Sequence, residues 1–432
     1  MRFALLQMQA ILALAACLSV IVQTPSHAQP GPLRYVVTPT SIGSGRIMTE
    51  PNEWTFAEGT TVTLTAEPNN GWSFVGWHGD LSSNQNPITI TIRSNLRAIA
   101  LFQNDVLDVN SVQALVGFAA SEWDGLSTTT GGLGGETVVV TTGKDLYDLL
   151  DNRRDSRFNK NYPPLNIVIQ GTLTFPAKEM VDVKETYNLS ILGADANAVI
   201  QGFGLNIYKS FNIIVRNIEF RDCPDDAISV DGVVTHHVWI DHCTFSDSPD
   251  IDPDGDRHDG LVDIKHGATC VTVSWNRFFN HSKTCLLGHS DNNGAQDTGR
   301  LKVTYHHNWF DNTYSRHPRV RFGECHVFNN LYDNGWGGMN YGIASTQEAD
   351  VVVQANYFMT VVHPTFCGYD DSDPGDIVEF DNLYDQSGLP QTRGEAFNPK
   401  VYYSFTPDPA TDVPWVVMTR AGAGRLQVDA IP

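Results

Sequence analysis

Positive charge is scarce in this chain: 28 Lys and Arg face 49 Asp and Glu over 432 residues, a formal charge of −21. That deficit excludes nucleic acid as a partner, because a phosphate backbone is held by clustered cations. Cysteine is sparse too, with seven in all. The glycine pairs between Thr129 and Gly135 lack a following G-K-[ST] and lead into a strand, so they form a turn and not a phosphate cradle. An apolar stretch runs from about Phe3 to Val22, after Arg2 and before Ser26-His27-Ala28, which has small residues at the two positions signal peptidase reads. It reads as a secretory signal over residues 1–28 and not as a membrane span, so the protein is expected to be secreted, with no membrane attachment after removal. Removal takes away one Arg and no acid, leaving 27 bases against 49 acids, or −22, and six cysteines. Six in an exported chain permit disulfides in 15 pairings, while Cys243, Cys270 and Cys325 lie in or beside strand patterns where Cys packs as a small hydrophobe.

The composition changes near Asn104. Residues 34–103 read as short alternating strands, R-Y-V-V, T-T-V-T-L-T-A and I-T-I-T-I, separated by Gly, Pro and Asn turns, which predicts a small all-β module. Its stretch G-W-S-F-V-G-W-H-G-D (71–80), with a strand ending A-I-A-L-F (98–102), resembles the bacterial InlB-type B-repeat modules. The resemblance implies a surface spacer or weak binder. Trp72 and Trp77 are expected in the module core, with stacking on sugar rings as the alternative.

Beyond the module a row repeats: V-W-I-D-H-C-T-F (238–245), V-T-V-S-W-N-R-F (271–278), V-T-Y-H-H-N-W-F (303–310), C-H-V-F-N-N-L-Y (325–332) and V-V-V-Q-A-N-Y-F (351–358), with Ile213 to Phe220 a degenerate sixth. The aromatic column Phe220, Phe245, Phe278, Phe310, Tyr332, Phe358 has spacings of 25, 33, 32, 22 and 26 residues. A floor near one length with variable additions is the signature of coils whose excess leaves as loops. The expected fold is all-β, a right-handed parallel β-helix over residues 114–432. Asn276, Asn308, Asn330 and Asn356, headed by Cys243, should stack as an amide ladder, and T-V-V-V-T (137–141), L-N-I-V-I (165–169) and N-L-S-I-L (188–192) should add earlier coils.

Candidate chemistry concentrates between Asp259 and Arg321. H-D-G-L-V-D (258–263) precedes Lys283 and R-H-P-R-V-R (316–321). Carboxylates able to hold a metal, brought near cations by stacked strands, suit a calcium-assisted attack on a polyanion. Separately, D-I-D-P-D-G-D (250–256) starts like an EF-hand loop but has Leu261 where the bidentate Glu belongs, so it is either a second calcium site or an acidic loop. Asp241 is expected to bond a turn, and His306 and His307 to stack, since neither has metal-ligand spacing.

In order along the chain, G-F-A (117–119), D-A-I-S-V (226–230), V-W-I-D-H (238–242), D-G-L-V-D-I-K (259–265), H-S-K-T-C-L-L-G-H-S-D (281–291), R-H-P-R-V-R-F-G (316–323) and A-G-A-G-R-L (421–426) resemble the pectate lyases of polysaccharide lyase family 1. The resemblance implies Ca2+ on Asp226, Asp259 and Asp263, catalysis by Arg316 with Lys283 and Arg321, and a polygalacturonate or pectin substrate bound by Lys283, Arg321 and Lys265. It further implies a secreted monomer. One family variant carries an acid two residues before Asp226; here Pro224 stands there, so Asp225 or water completes the shell.

The expected reaction is β-elimination, in which a proton leaves C5 beside a carboxylate and charge builds on that group. A guanidinium holds its proton beyond pH ~12, so Arg316 is either the base, with a rate rising toward alkaline pH, or an electrostatic clamp beside hydroxide or water. The rival functions are a pectin lyase acting on methylated chains, a polygalacturonase using paired acids and water, and a non-enzymatic β-helix adhesin.

Overall fold

The computed structural model describes residues 33–42, 45–69, 72–104, 114–158, 161–248, 258–335 and 338–425. The apolar leader and the acidic loop 250–256 lie outside the described residues.

From Glu136 onward the chain winds into a parallel β-helix with three sheets of ten, nine and eight strands, in which each strand pairs with its counterparts one coil before and after. Parallel stacking in register aligns equivalent residues. In the ten-stranded sheet Ile213, Val238, Val271, Val303, Cys325, Val351 and Ile377 form one inward file, and Val215, Ile240, Val273, Tyr305, Val327 and Val353 the next. All are buried, because period-2 alternation sends both files to one side. The nine-stranded sheet is built of three-residue strands, and from Phe220 onward their central residues are aromatics that stack, with ring centroids 5.0 Å apart between Phe245 and Phe278 and 4.4 Å between Tyr332 and Phe358. The stack continues to Tyr384.

Between these two sheets the chain must bend sharply. The residue before each ladder position takes a positive φ: His242 49°, Trp275 55°, His307 54°, Asn329 52° and Ala355 51°. For non-glycine residues this costs ~1–2 kcal/mol each, and the amide ladder offsets it. Asn276 Nδ2 donates to Asn308 Oδ1 (3.1 Å), Asn308 to Asn330 (2.9 Å), Asn330 to Asn356 (3.0 Å) and Asn356 to Asn382 (3.0 Å), while the Cys243 backbone N–H caps the head (2.8 Å to Asn276 Oδ1). Asn330→Ala would strand the Asn308 N–H and Nδ2 donors on one side and take a donor from the Asn356 Oδ1 acceptor on the other. We expect a loss of ~3 kcal/mol, read as a lower urea midpoint with activity retained below the transition.

Among the described residues there is no disulfide. Cys223, Cys243, Cys270, Cys285 and Cys325 are buried thiols and Cys367 is half-buried, so of the two expectations for cysteine, packing is what the fold uses.

The N-terminal module has two sheets. In the first, Arg34–Ile42 lies between Thr55–Ala57 and Leu96–Asn104, with Trp72–Gly79 beyond; the second joins Gly45–Glu50, Thr61–Pro68 and Ile88–Thr91. Trp77 is in its core, 1% exposed, with Nε1 donating to the Gln85 carbonyl (2.9 Å), and Trp72 is half-buried. The module also shares a core with the solenoid. Ile42, Ile99 and Leu101 pack against Trp309, Leu331 and Met359 on the nine-stranded sheet, against Trp275 in the bend leading into it and against the helix Val413–Arg420. Arg97 reaches across to a buried ion pair with Asp333.

Candidate active site

Every candidate site residue belongs to the eight-stranded sheet or to the turns entering it. Asp226 precedes the strand Ile228–Asp231, Asp263 and Lys265 lie on Val262–Lys265, Lys283 precedes Leu286–Leu287, and Arg316 precedes Arg319–Arg321. Successive coils pair Ser229 with Asp263, Asp231 with Lys265, Lys283 with Ser315 and Leu286 with Arg319. The spacing along the chain thus becomes a compact patch across four coils.

Its acidic half is tightly built. Asp226 and Asp263 are 1% and 3% exposed. Asp226 accepts from the Gly260 N–H (3.1 Å) and from Lys265 Nζ (2.7 Å), and Asp263 accepts from the Leu286 N–H (3.0 Å). A β-carbon at position 260 would lie 2.3 Å from Asp263 Oδ1 and 2.9 Å from Asp226 Oδ1, so glycine there leaves a space faced by both carboxylates. Burial pushes the Asp263 carboxyl well above the usual carboxylate range and the Asp226 charge adds to this, with Lys265 and Arg316 partly offsetting both. Burial pulls Lys265 down, yet Asp226 and Asp263 outweigh it and raise its pKa.

Asp225, Asp226 and Asp259 bring carboxylate oxygens within 4.8 Å of one another. The structure therefore gathers Asp225 with two of the three acids expected to bind metal, while Asp263 approaches Asp226 outside that group. An all-oxygen set with two exposed and two buried, mutually repelling acids suits a hard divalent cation such as calcium. Lys265 is held by Asp226 in an ion pair, so its ammonium lies beside the acids and not out toward solvent.

The basic half differs residue by residue. Arg321 is nearly buried, paired with Asp291 and donating to the Gly288 carbonyl (2.9 Å). Gly288, at φ 85°, admits it, since a β-carbon there would lie 2.8 Å from the Arg321 β-carbon. Lys283 is half-buried in the turn alongside Ser315. Arg316 is half-buried at φ 63°, and its carbonyl accepts the Cys285 N–H (2.7 Å). Among the described residues the Arg316 guanidinium closes no ion pair, although its charge is felt at Asp263. A strained, unpaired cation at a cluster of ionised groups is where function is expected.

A family model described as pectate lyase matches residues 172–425. The chain belongs to the pectate lyase family. A second model, a divergent InlB B-repeat domain, matches residues 35–105. A pectate trisaccharide-lyase of Bacillus licheniformis is 35% identical over 320 residues, spanning 72% of this chain and 87% of its own length. One from Thermotoga maritima is 37% identical over 348 residues, spanning 72% and 89%. A solved pectate lyase from Bacillus sp. N165, in complex with trigalacturonate, superposes with a TM-score of 0.64 at 31% identity, covering 72% of this chain and 99% of that one. This pectate lyase is accordingly an enzyme acting on a polysaccharide.

Two networks around its site escaped the sequence. Asp247 holds two histidines, His281 Nδ1 at 2.5 Å and His258 Nδ1 at 2.9 Å, and His281 Nε2 meets the Asp259 carbonyl at 2.7 Å. Burial pushes Asp247 up, but these histidines hold it below its ordinary value. On the other flank Ser372 donates to Asp291 (2.7 Å) and accepts from Arg319 (2.7 Å), tying Arg319 to the acid that holds Arg321. The residues of each network lie on different coils, and only stacking brings them together. Asp241, as expected, is structural, buried with Arg216, His242 and Ser274. His307 stacks on Trp275 at 4.1 Å.

Proposed function

We propose that this pectate lyase is an exported, calcium-dependent enzyme that cleaves demethylated polygalacturonate by β-elimination, with Arg316 at the C5 proton. The observation that supports this best is the pairing of the Asp225, Asp226, Asp259 and Asp263 cluster with Arg316, which closes no ion pair among the described residues, on one sheet face. In the step itself Arg316, in its neutral form after losing a proton to solvent, accepts the C5 proton and becomes guanidinium, the C5–H electrons become the C4–C5 double bond, the C4–O4 bond breaks, and the departing oxygen takes a proton from solvent. Lys283 and Arg321 face the substrate carboxylate, on which charge accumulates as the proton leaves. Asp225, Asp226, Asp259 and Asp263 are the residues that would hold calcium, and its chemistry there would be Lewis-acid withdrawal of charge from that carboxylate. Asp247 and His281 hold the Asp259 turn, and Asp291 orients Arg321. Export rests on the leader at residues 1–28.

Chelation is expected to abolish activity on demethylated polygalacturonate, followed through the near-ultraviolet absorbance of the unsaturated product, while circular dichroism stays unchanged because the solenoid core is built of apolar files. Added calcium should restore the rate, and Asp259→Asn should raise the calcium needed. Full activity in excess chelator would overturn the calcium reading, and reducing ends without unsaturation would turn the assignment to hydrolysis.

A further inference from the structure

Between the module and the solenoid lies a cleft of about 440 Å³, a volume within the range of small-ligand sites. One wall is the module turn His78–Ser82; the other is Arg277 and Phe279 on the middle strand of the nine-stranded sheet, with the turns that leave the sheet at Asn280 and Asn312. Those two turns run on to Lys283 and Arg316, three and four residues later. The cleft and the reacting groups therefore sit at opposite ends of the same short segments.

Three arginines and three aspartates line the cleft, and Asp80 among them accepts the Arg97 backbone N–H (2.7 Å). Arg97 is closed on Asp333, and Arg277 donates twice to Asp311. Arg425, at the mouth, has no carboxylate partner among the described residues. Burial, reinforced by the charges of Arg425 and Arg277, holds His78 neutral, with its pKa down to about 4. Asn280 receives the Asn312 amide on its oxygen (2.8 Å) and keeps its own NH2 available. Phe279, half-buried under the Arg277 guanidinium at 4.6 Å, adds a flat carbon surface. A guanidinium for a carboxylate, the Asp80 carboxylate with amide and hydroxyl groups for sugar hydroxyls, and an aromatic edge together match a sugar acid better than an apolar ligand.

We propose that this cleft is an accessory site for the galacturonate chain, in which Arg425 takes a sugar carboxylate and Asn280 and Ser82 take hydroxyls. The proposal rests on the lyase reading for the identity of the polymer and adds a role for the module in holding it. A site beyond the reacting sugar contributes equally to the ground and transition states, so its effect falls on KM for long chains and not on kcat.

The test compares polygalacturonate with trigalacturonate as substrates for Arg425→Ala and for Ser82→Trp, which fills the cleft from the module side. Both variants should raise KM on the polymer about tenfold, the scale of one charge-assisted contact, and leave kcat and all trigalacturonate kinetics unchanged. Arg425→Lys should recover most of the loss, and added salt should narrow the gap between wild type and Arg425→Ala. An unchanged polymer KM in both variants would overturn the proposal. So would a parallel loss on trigalacturonate, which would assign Arg425 to the fold or the catalytic centre. Failure of the wild type to release unsaturated product from either substrate would instead strike the lyase reading, leaving the two failures distinct.

Discussion

Arg316→Lys is expected to give a folded protein whose turnover on polygalacturonate is lower by ~10²- to 10⁴-fold, the range for removing a positioned acid–base group. The backbone at 316 is set by its coil: φ is 63° and the carbonyl accepts the Cys285 N–H (2.7 Å). Lysine meets the same conformational demand as arginine there, so the fold should survive, and circular dichroism checks that it does. Lysine keeps the positive charge but loses the planar fork and the reach of the guanidinium. The substitution thus separates the two roles open to Arg316. A clamp that acts by charge would tolerate lysine within about tenfold, whereas a proton acceptor placed against C5 would not. Arg321 and Lys265 are already tied to Asp291 and Asp226, and neither stands free to substitute for it. Near-normal kcat in the variant would remove Arg316 from proton transfer.

What could be read from the chain depended on whether a residue's role repeats. The aromatic column and the asparagine ladder recur coil after coil, so they were visible before the structure. The last coil was missed because Glu379 occupies the file that holds Val353 one coil earlier. At the end of the solenoid that position is only partly covered, and Glu379 Oε2 accepts from Asn382 (2.9 Å) and the Tyr384 hydroxyl (2.9 Å). The helix Val413–Arg420 escaped for a different reason. It is buried from Val413 through Met418, so it has no polar face and no 3.6-residue alternation to betray it. At the site, Asp263, Lys265 and Arg321 lie on strands whose register follows from the repeat. Asp225 was legible only through its place beside Asp226, and the parts played by Asp247 and Asp291 depend on turns between coils, where length varies and the pattern carries no information.

Deleting residues 29–105 is expected to destabilise the lyase domain severely, giving aggregation or a much lower urea midpoint and not a free-standing active solenoid. The coils do have their own apolar core, and every site residue lies from Asp225 onward, which taken alone would argue for an independent solenoid. The structure shows why that argument is incomplete. Ile42, Ile99 and Leu101 cover Trp275, Trp309, Leu331 and Met359, and removing them exposes a contiguous apolar patch of the kind that drives association. Deletion also leaves Asp333, 1% exposed, without the guanidinium of Arg97. Arg97→Ala isolates that second effect. Breaking one partner from a buried ion pair costs ~3–5 kcal/mol, and the cost should depend on pH with a definite sign. Burial, together with the Asp311 charge, raises Asp333 to about 6 even with Arg97 in place. Its ionised form therefore weighs against the fold above that pH, and protonation relieves the penalty below it. Without Arg97 the pKa rises further, so the variant should lie closer to wild type in urea at pH 5 than at pH 8. Equal losses at both pH values, or an intact midpoint after deletion, would show that the module rests on the solenoid without supporting it.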